Sequence, residues 1–93
     1  MKISYDPRKS ARNVAERGLS FELAEAFEWD SAVIWQDTRR DYGEERFIAL
    51  GRIGQRVHSL VFTRRSETVH VISLRKANRR EVRRYETETQ KET

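Results

Sequence analysis

The residues best suited to chemistry lie near the C-terminus, in the stretch LRKANRREVRRYE (74–86). Basic side chains occupy six of the ten positions from 75 to 84, and only Ala77 and Val82 are apolar there. Guanidinium groups bind phosphate oxygens through paired hydrogen bonds, so this pattern indicates an anionic partner. The alternatives are a solvated helix face and a docking surface for an acidic protein.

Helical spacing divides this stretch into two sides. Asn78, Val82 and Tyr85 share one face of a helical wheel, so Val82 and Tyr85 are expected to anchor the helix to a sheet. The rest of the surface carries four arginines that repel one another, and few acidic residues offset them. These arginines are Arg79, Arg80, Arg83 and Arg84. Their repulsion favours a partner that supplies negative charge.

Other candidates lie on the predicted strands. Arg64 and Arg75 are expected at strand ends, with Lys76 next to Arg75, and such positions suit a phosphate. His58 and His70 are the histidines, and either one is more often structural than catalytic. No metal-binding constellation is visible, and no cofactor is expected. The acidic loop residues, interpreted as solubilising, are Asp37, Asp41, Glu44 and Glu45.

Charge is divided unevenly along the chain. Residues 1–45 contain seven Lys or Arg and ten Asp or Glu, whereas residues 46–93 contain twelve and five. Neutralisation of phosphates supplies most of the sequence-independent affinity for nucleic acid. The basic half therefore predicts a polyanionic partner, with ordinary solubilising charge as the alternative.

Length and composition set the class of protein. The 93 residues, of which 37% are hydrophobic, predict one domain with a modest core, placed at 1–88, and a polar tail at 89–93. We find no apolar run of membrane-spanning length and no signal-peptide pattern. The chain has no cysteine, which excludes disulfides and thiolate zinc sites. A cytoplasmic location without membrane attachment is expected.

Periodicity predicts the elements that position these residues. A short strand is followed by a helix that opens at Asp6-Pro7 and stops at Gly18, and Ser20 is expected to cap a second helix. Strands are predicted at 32–37, 46–53, 56–64 and 68–75, before the basic helix. The expected fold class is α+β, with an antiparallel meander, two N-terminal helices on one face and the order β-α-α-β-β-β-β-α.

Two short loops set the expected register of the sheet. With loops at 54–55 and 66–67, His58 pairs with Gly51 on one side and with Arg75 on the other. His58 and Arg75 would then share a shallow recess on one face. The opposite face would carry the aliphatic rows Ile48–Val61–Ile72 and Leu50–Ser59–Leu74, which the N-terminal helices are expected to cover.

Three blocks of the chain resemble, in order, the signature blocks of the BrnT toxin family. They are YDPRKSARNVAERGLSFELAEAF, DYGEERFIALG and ISLRKANRREVRRYE, and the resemblance extends from Met1 to about Glu86. The chain departs from the family pattern at Arg17, usually histidine, and at Leu74, usually alanine. The resemblance implies a RelE-like fold and a ribonuclease toxin of a type II toxin–antitoxin system that arrests translation.

The same resemblance implies partners. RNA is the implied substrate, and the implied antitoxin, BrnA, carries a DNA-binding domain and represses the shared operon as a complex with the toxin. Operator DNA would be contacted through the antitoxin. A homodimer and a heterotetramer with the antitoxin both remain open. A non-catalytic module that binds nucleic acid through the basic helix is the alternative from another class.

RelE-like toxins cut RNA without metal, by attack of the ribose 2′-OH on the adjacent phosphate. Matches to the last block imply Arg75, Arg79 and Arg83 as cations at the phosphate. His58, or otherwise Tyr85, is the candidate for proton transfer. Arg79→Ala is expected to abolish growth arrest and to leave the fold intact. Contacts with substrate phosphates are assigned to Lys76, Arg80, Arg84, Arg64 and Arg46.

Overall fold

The computed structural model describes residues 2–90. Its strands are β1 (Lys2–Tyr5), β2 (Val33–Gln36), β3 (Phe47–Ile53), β4 (Arg56–Arg65) and β5 (Thr68–Lys76). Its helices are α1 (Pro7–Arg17), two 3₁₀ helices (Phe21–Ala26 and Trp29–Ser31) and α2 (Arg79–Gln90). Within this range no helix combines the length and the apolar character needed to cross a membrane.

All five strands form one sheet in the order β1-β5-β4-β3-β2. Strands β2 to β5 are an antiparallel meander, as predicted, but β1 joins the edge parallel to β5. The expectation of a purely antiparallel sheet is therefore wrong at this edge. Period-two alternation predicts a strand without giving its direction, and that direction depends on how α1 returns the chain across the sheet.

The first helix begins and ends where the sequence predicts. The Asp6 side chain accepts a hydrogen bond from the Arg8 N–H, Pro7 occupies the first turn, and Gly18 closes the helix in the left-handed region. The second predicted helix is instead a 3₁₀ helix, so the predicted helix order is not confirmed. A 3₁₀ helix has three residues per turn. That period aligns Phe21, Ala24 and Phe27, and all three are buried.

A β-bulge changes the register that the loops establish. The loops at 54–55 and 66–67 are as predicted, and Phe62 pairs with Val71, but Val61 pairs with Ser73 because Ile72 is an extra residue in β5. Beyond the bulge, Arg75 pairs with Ser59 rather than with His58. An insertion of one residue moves the following side chains to the other face. The predicted pairing of His58 with Arg75 is therefore wrong.

One face of the sheet is covered by the N-terminal part of the chain, and the other face is open. The first 3₁₀ helix packs on the covered face, where Phe21 and Phe27 contact a core that includes Ala49, Leu60 and Leu74. The prediction that the helices cover the rows containing Ile48 and Val61 is wrong. The small residues Gly51 and Ala49 leave room for aromatic rings on the covered face, which a row of branched side chains would fill.

The open face is only partly occupied, because α2 packs across one end of it. Tyr85 and Ala77 are buried there against Leu50 and Val57, with Val82 at the edge of the same cluster. The predicted anchoring role of Val82 and Tyr85 is confirmed. Among residues 2–90 no helix lies over the rest of the open face, so a concave surface remains between α2 and the segment 37–46.

Candidate functional site

A recess with a volume of about 480 Å³ lies on the open face. Its floor is formed by side chains of the central strands, and its two walls come from the start of α2 and from the segment 37–46. Three arginines and two aromatic residues are among its lining residues. The full lining is Trp35, Asp37, Arg39, Tyr42, Arg46, Ile48, Ser59, Val61, Ile72, Ser73, Arg75 and Glu81.

Arg75 and Glu81 form the first wall. Arg75 donates from Nη1 and Nη2 to the two carboxylate oxygens of Glu81, at 2.8 and 2.9 Å. Glu81 also accepts from the backbone N–H of Asn78, whose side chain accepts from the Glu81 N–H in return. This reciprocal capping box begins α2 and fixes Glu81 beside the strand end. The Arg75 guanidinium lowers the pKa of Glu81, and Glu81 raises that of Arg75.

Asp37 organises the second wall. Its carboxylate accepts from Nε and Nη2 of Arg39, each at 2.8 Å, and from the Tyr42 hydroxyl at 3.0 Å. The hydrogen bonds from Arg39 hold the pKa of Asp37 well below its usual range, although burial of the carboxyl opposes this. Asp37 is therefore ionised at neutral pH, and its carboxylate oxygens already accept hydrogen bonds from residues of its own loop.

Two arginines stack on aromatic rings that line the recess. The Arg46 guanidinium lies 4.1 Å from the centre of the Tyr42 ring, and that of Arg84 lies 3.9 Å from the centre of the Trp35 ring. Such cation–π contacts hold a guanidinium in place and leave its N–H donors at the edge. The Nε of Arg46 is buried, and it is without a hydrogen-bond partner among residues 2–90.

The predicted proton-transfer residues lie outside this recess. His58 is buried on the covered-face side, and its Nδ1 is 2.8 Å from the Arg56 carbonyl, so Nδ1 must carry the proton. Burial lowers the pKa of His58. Tyr85 is 3% exposed within the core under α2, and its hydroxyl donates to Ser31. His70 lies at the β1–β5 edge with its Nδ1 2.9 Å from the Ser4 hydroxyl.

The predicted basic residues divide by position. Arg75 and Arg46 line the recess, and Arg84 borders it through Trp35. Arg79 and Arg83 are exposed on α2, and at 100° per residue they lie about 120° and about 160° around the helix from the buried Tyr85. Three more of the predicted basic residues are exposed and lie outside the recess lining: Arg80, Lys76 and Arg64. Of these, Arg64 lies beside Phe47 and Val69 at the far end of β4.

Sequence reasoning missed the residues that complete the recess. Trp35 and Asp37 have the period-two spacing of side chains on one face of β2, and this spacing could have placed both with the open face. Arg39 and Tyr42 gave no such signal, because their positions depend on the folded shape of an irregular loop. Among residues 2–90, no group of three or more His, Asp or Glu side chains is arranged to hold a metal ion.

A family model described as the ribonuclease toxin, BrnT, of type II toxin–antitoxin systems matches residues 5–81. The chain belongs to this family. A search among curated proteins finds no match.

Family membership confirms the resemblance inferred from the three sequence blocks. It implies a ribonuclease toxin of a type II toxin–antitoxin system, with RNA as the target and an antitoxin as the partner. The match includes the segment 37–46, Arg75 and Glu81. It ends before Arg83, Arg84 and Tyr85, so any role for those three depends on the geometry of this chain.

Proposed function

We propose that this protein is a metal-independent endoribonuclease with a RelE-like fold, which binds a single RNA strand in the recess and arrests translation and growth. The observation that carries the proposal is the grouping of Arg39, Arg46 and Arg75 around one concave surface. Positioned cations of this kind stabilise the charge that develops on a phosphate during transfer. An RNA strand also supplies bases that can stack on Trp35 and Tyr42.

Arg75 is the proposed clamp on the scissile phosphate. Its guanidinium already binds two oxygens of one anion, the Glu81 carboxylate, and a phosphate presents two oxygens with similar spacing. The Arg75 side chain is 38% exposed, so a strand on the open face can reach it. RNA would take the place of Glu81 at this fork, and the displaced carboxylate would remain beside the reacting atoms.

The proposed reaction is an internal transesterification. The ribose 2′-oxygen forms a bond to phosphorus, the bond from phosphorus to the 5′-oxygen breaks, and the products carry a 2′,3′-cyclic phosphate and a 5′-hydroxyl. Glu81 accepts the proton of the 2′-OH, since it lines the recess and a carboxylate released from Arg75 is still ionised at neutral pH. The departing 5′-oxygen takes a proton from water.

The exposed arginines of α2 have a different proposed role. Arg79 and Arg83 point away from the sheet, so they suit the flanking phosphates of a longer RNA or an acidic segment of the antitoxin. We propose that a BrnA-like, DNA-binding antitoxin neutralises the toxin by covering the recess. On this geometry, Arg75→Ala removes more activity than Arg79→Ala.

The test is cleavage of a single-stranded RNA by the purified protein in EDTA, combined with growth after induced expression. Arg75→Ala is expected to lose both activities. Arg12→Ala, which removes an exposed arginine of α1, is the matched control and should retain both. Binding of RNA without any cut by the wild-type protein would support the non-catalytic binding module instead. Full toxicity of Arg75→Ala would contradict the proposed site.

A further inference from the structure

The segment 37–46 contains a hydrogen-bonded cluster centred on Asp37, a residue to which the proposed function gives no role. We propose that Asp37 is a positioning residue of the ribonuclease site, holding Arg39 and Tyr42 so that they form, with Arg46, a second phosphate-binding wall opposite Arg75. The inference rests on the proposed function and adds the residues that would hold the RNA strand next to the scissile phosphate.

Asp37 is placed to act as a fixed support. It directly follows β2, its side chain is 2% exposed, and its backbone N–H donates to the Arg46 carbonyl at 2.7 Å. That backbone bond ties the two ends of the loop together. The carboxylate then accepts from the Arg39 backbone N–H, the Arg39 guanidinium and the Tyr42 hydroxyl. Four hydrogen bonds to one buried carboxylate fix the positions of Asp37, Arg39 and Tyr42 relative to one another.

Arg39 is hydrogen-bonded to the buried Asp37 on one side and exposed to solvent on the other. Its side chain is 71% exposed, whereas that of Asp37 is almost fully buried. Two of the five guanidinium N–H donors bind Asp37, which leaves three for a ligand. An exposed ion pair contributes little stability, and burying a carboxylate costs free energy. The arrangement therefore presents a cation to the recess in a fixed orientation.

Tyr42 links Asp37 to Arg46. The hydroxyl bond to Asp37 orients the Tyr42 ring, and the Arg46 guanidinium stacks on that ring. The buried Nε of Arg46 has no hydrogen-bond acceptor within residues 2–90. Arg46 also lines the recess, where the guanidinium can pair with an anion. The expected ligand is a phosphodiester of single-stranded RNA adjacent to the one that is cut.

The test is a double-mutant cycle on RNA cleavage under single-turnover conditions. Asp37→Asn keeps the shape but loses the carboxylate, and Arg39→Gln keeps one donor for Asp37 but loses the cation. Each is expected to slow cleavage by about 100-fold, the size of effect produced by a misplaced contact at a reaction centre. If Asp37 acts through Arg39, the double variant should be within about threefold of the slower single variant.

The controls separate positioning from general loss of structure. Asp41→Asn changes an exposed carboxylate in the same loop, which accepts a hydrogen bond from the Gly43 backbone N–H, and should cleave like the wild type. Tyr42→Phe removes one hydrogen bond and leaves the carboxylate in place. It is expected to slow cleavage by about tenfold with an unchanged circular dichroism spectrum, which keeps the test decisive if Asp37→Asn does not fold.

The outcomes distinguish this inference from the proposed function. If the wild type does not cut RNA, the proposed function fails. If the wild type cuts, Arg75→Ala does not, and both Arg39→Gln and Tyr42→Phe cleave at the wild-type rate, the proposed function stands and this inference is overturned. Multiplicative effects of Asp37→Asn and Arg39→Gln would also overturn it, because independent sites add in free energy.

Discussion

Replacement of Gly51 by alanine tests which face of the sheet the N-terminal part covers. Gly51 lies in β3 directly under the Phe27 ring, and a Cβ atom at this position would be 2.5 Å from Cζ and 2.8 Å from Cε2 of that ring. Phe27 is 4% exposed and packs edge-on against Trp29, with the ring centres 4.7 Å apart. The ring therefore has little room to withdraw.

The expected loss of stability follows from this overlap between the new Cβ atom and the Phe27 ring. Carbon atoms in contact are about 3.5–4.0 Å apart, so the ring or the strand must shift by roughly 1 Å. Overpacking of a core costs about 1–3 kcal/mol. For a domain of this size each kcal/mol lowers the melting temperature by about 4–8 °C, so Gly51→Ala should lower it by roughly 10 °C.

The assay is thermal denaturation followed by circular dichroism, with Phe27→Leu as the relieving change. Leucine lacks the ring atoms that the new Cβ meets, although its smaller volume destabilises by itself. The double variant Gly51→Ala/Phe27→Leu should therefore be more stable than the sum of the two single effects predicts. A melting temperature of Gly51→Ala within about 2 °C of the wild type would refute the packing of Phe27 on this face.

Three further predictions concern the open face. Asn78→Ala should lower the free energy of unfolding by about 1 kcal/mol in urea denaturation, because α2 loses its side-chain cap. The pKa of Glu81 is lower in the folded state, so its stabilising contribution is present above its unfolded pKa of about 4.3 and decreases as the pH falls below it. Glu81→Gln should flatten this acid part of the stability profile. Trp35→Ala should weaken binding of a 2′-deoxy substrate analogue by about tenfold in fluorescence anisotropy, because a stacked base loses its platform. An unchanged unfolding midpoint, an unchanged acid profile or an unchanged affinity, respectively, would contradict these expectations.

The fold was predictable where local rules act. The caps at Asp6 and Gly18 and the loops at 54–55 and 66–67 follow from short-range chemistry, and all four are present. The bulge at Ile72 was not predictable from such rules, because nothing in an apolar run marks which residue will be extra. That single residue moves Arg75 to the open face and leaves His58 on the covered face.

The basic chemistry of the site was predictable from the sequence, but only some of the residues that line it were. The basic residues near the C-terminus led to Arg75, which lines the recess, but the same reasoning gave weight to Arg79 and Arg83, which point to solvent. The sequence predicts Asp37 to be a solubilising loop acid, whereas in the structure its side chain is buried. Its contacts with Arg39 and Tyr42 depend on loop shape, which one sequence does not specify.

The most direct test of the central claim is analysis of the ends produced when the purified protein cuts RNA in EDTA. The account predicts 5′ fragments that end in a 2′,3′-cyclic phosphate and 3′ fragments that begin with a 5′-hydroxyl. A substrate with a single 2′-deoxy nucleotide at the cleaved position should resist cleavage there. Fragments with a 5′-phosphate, or cleavage at the deoxy position, would contradict attack by the 2′-hydroxyl in the arginine-lined recess.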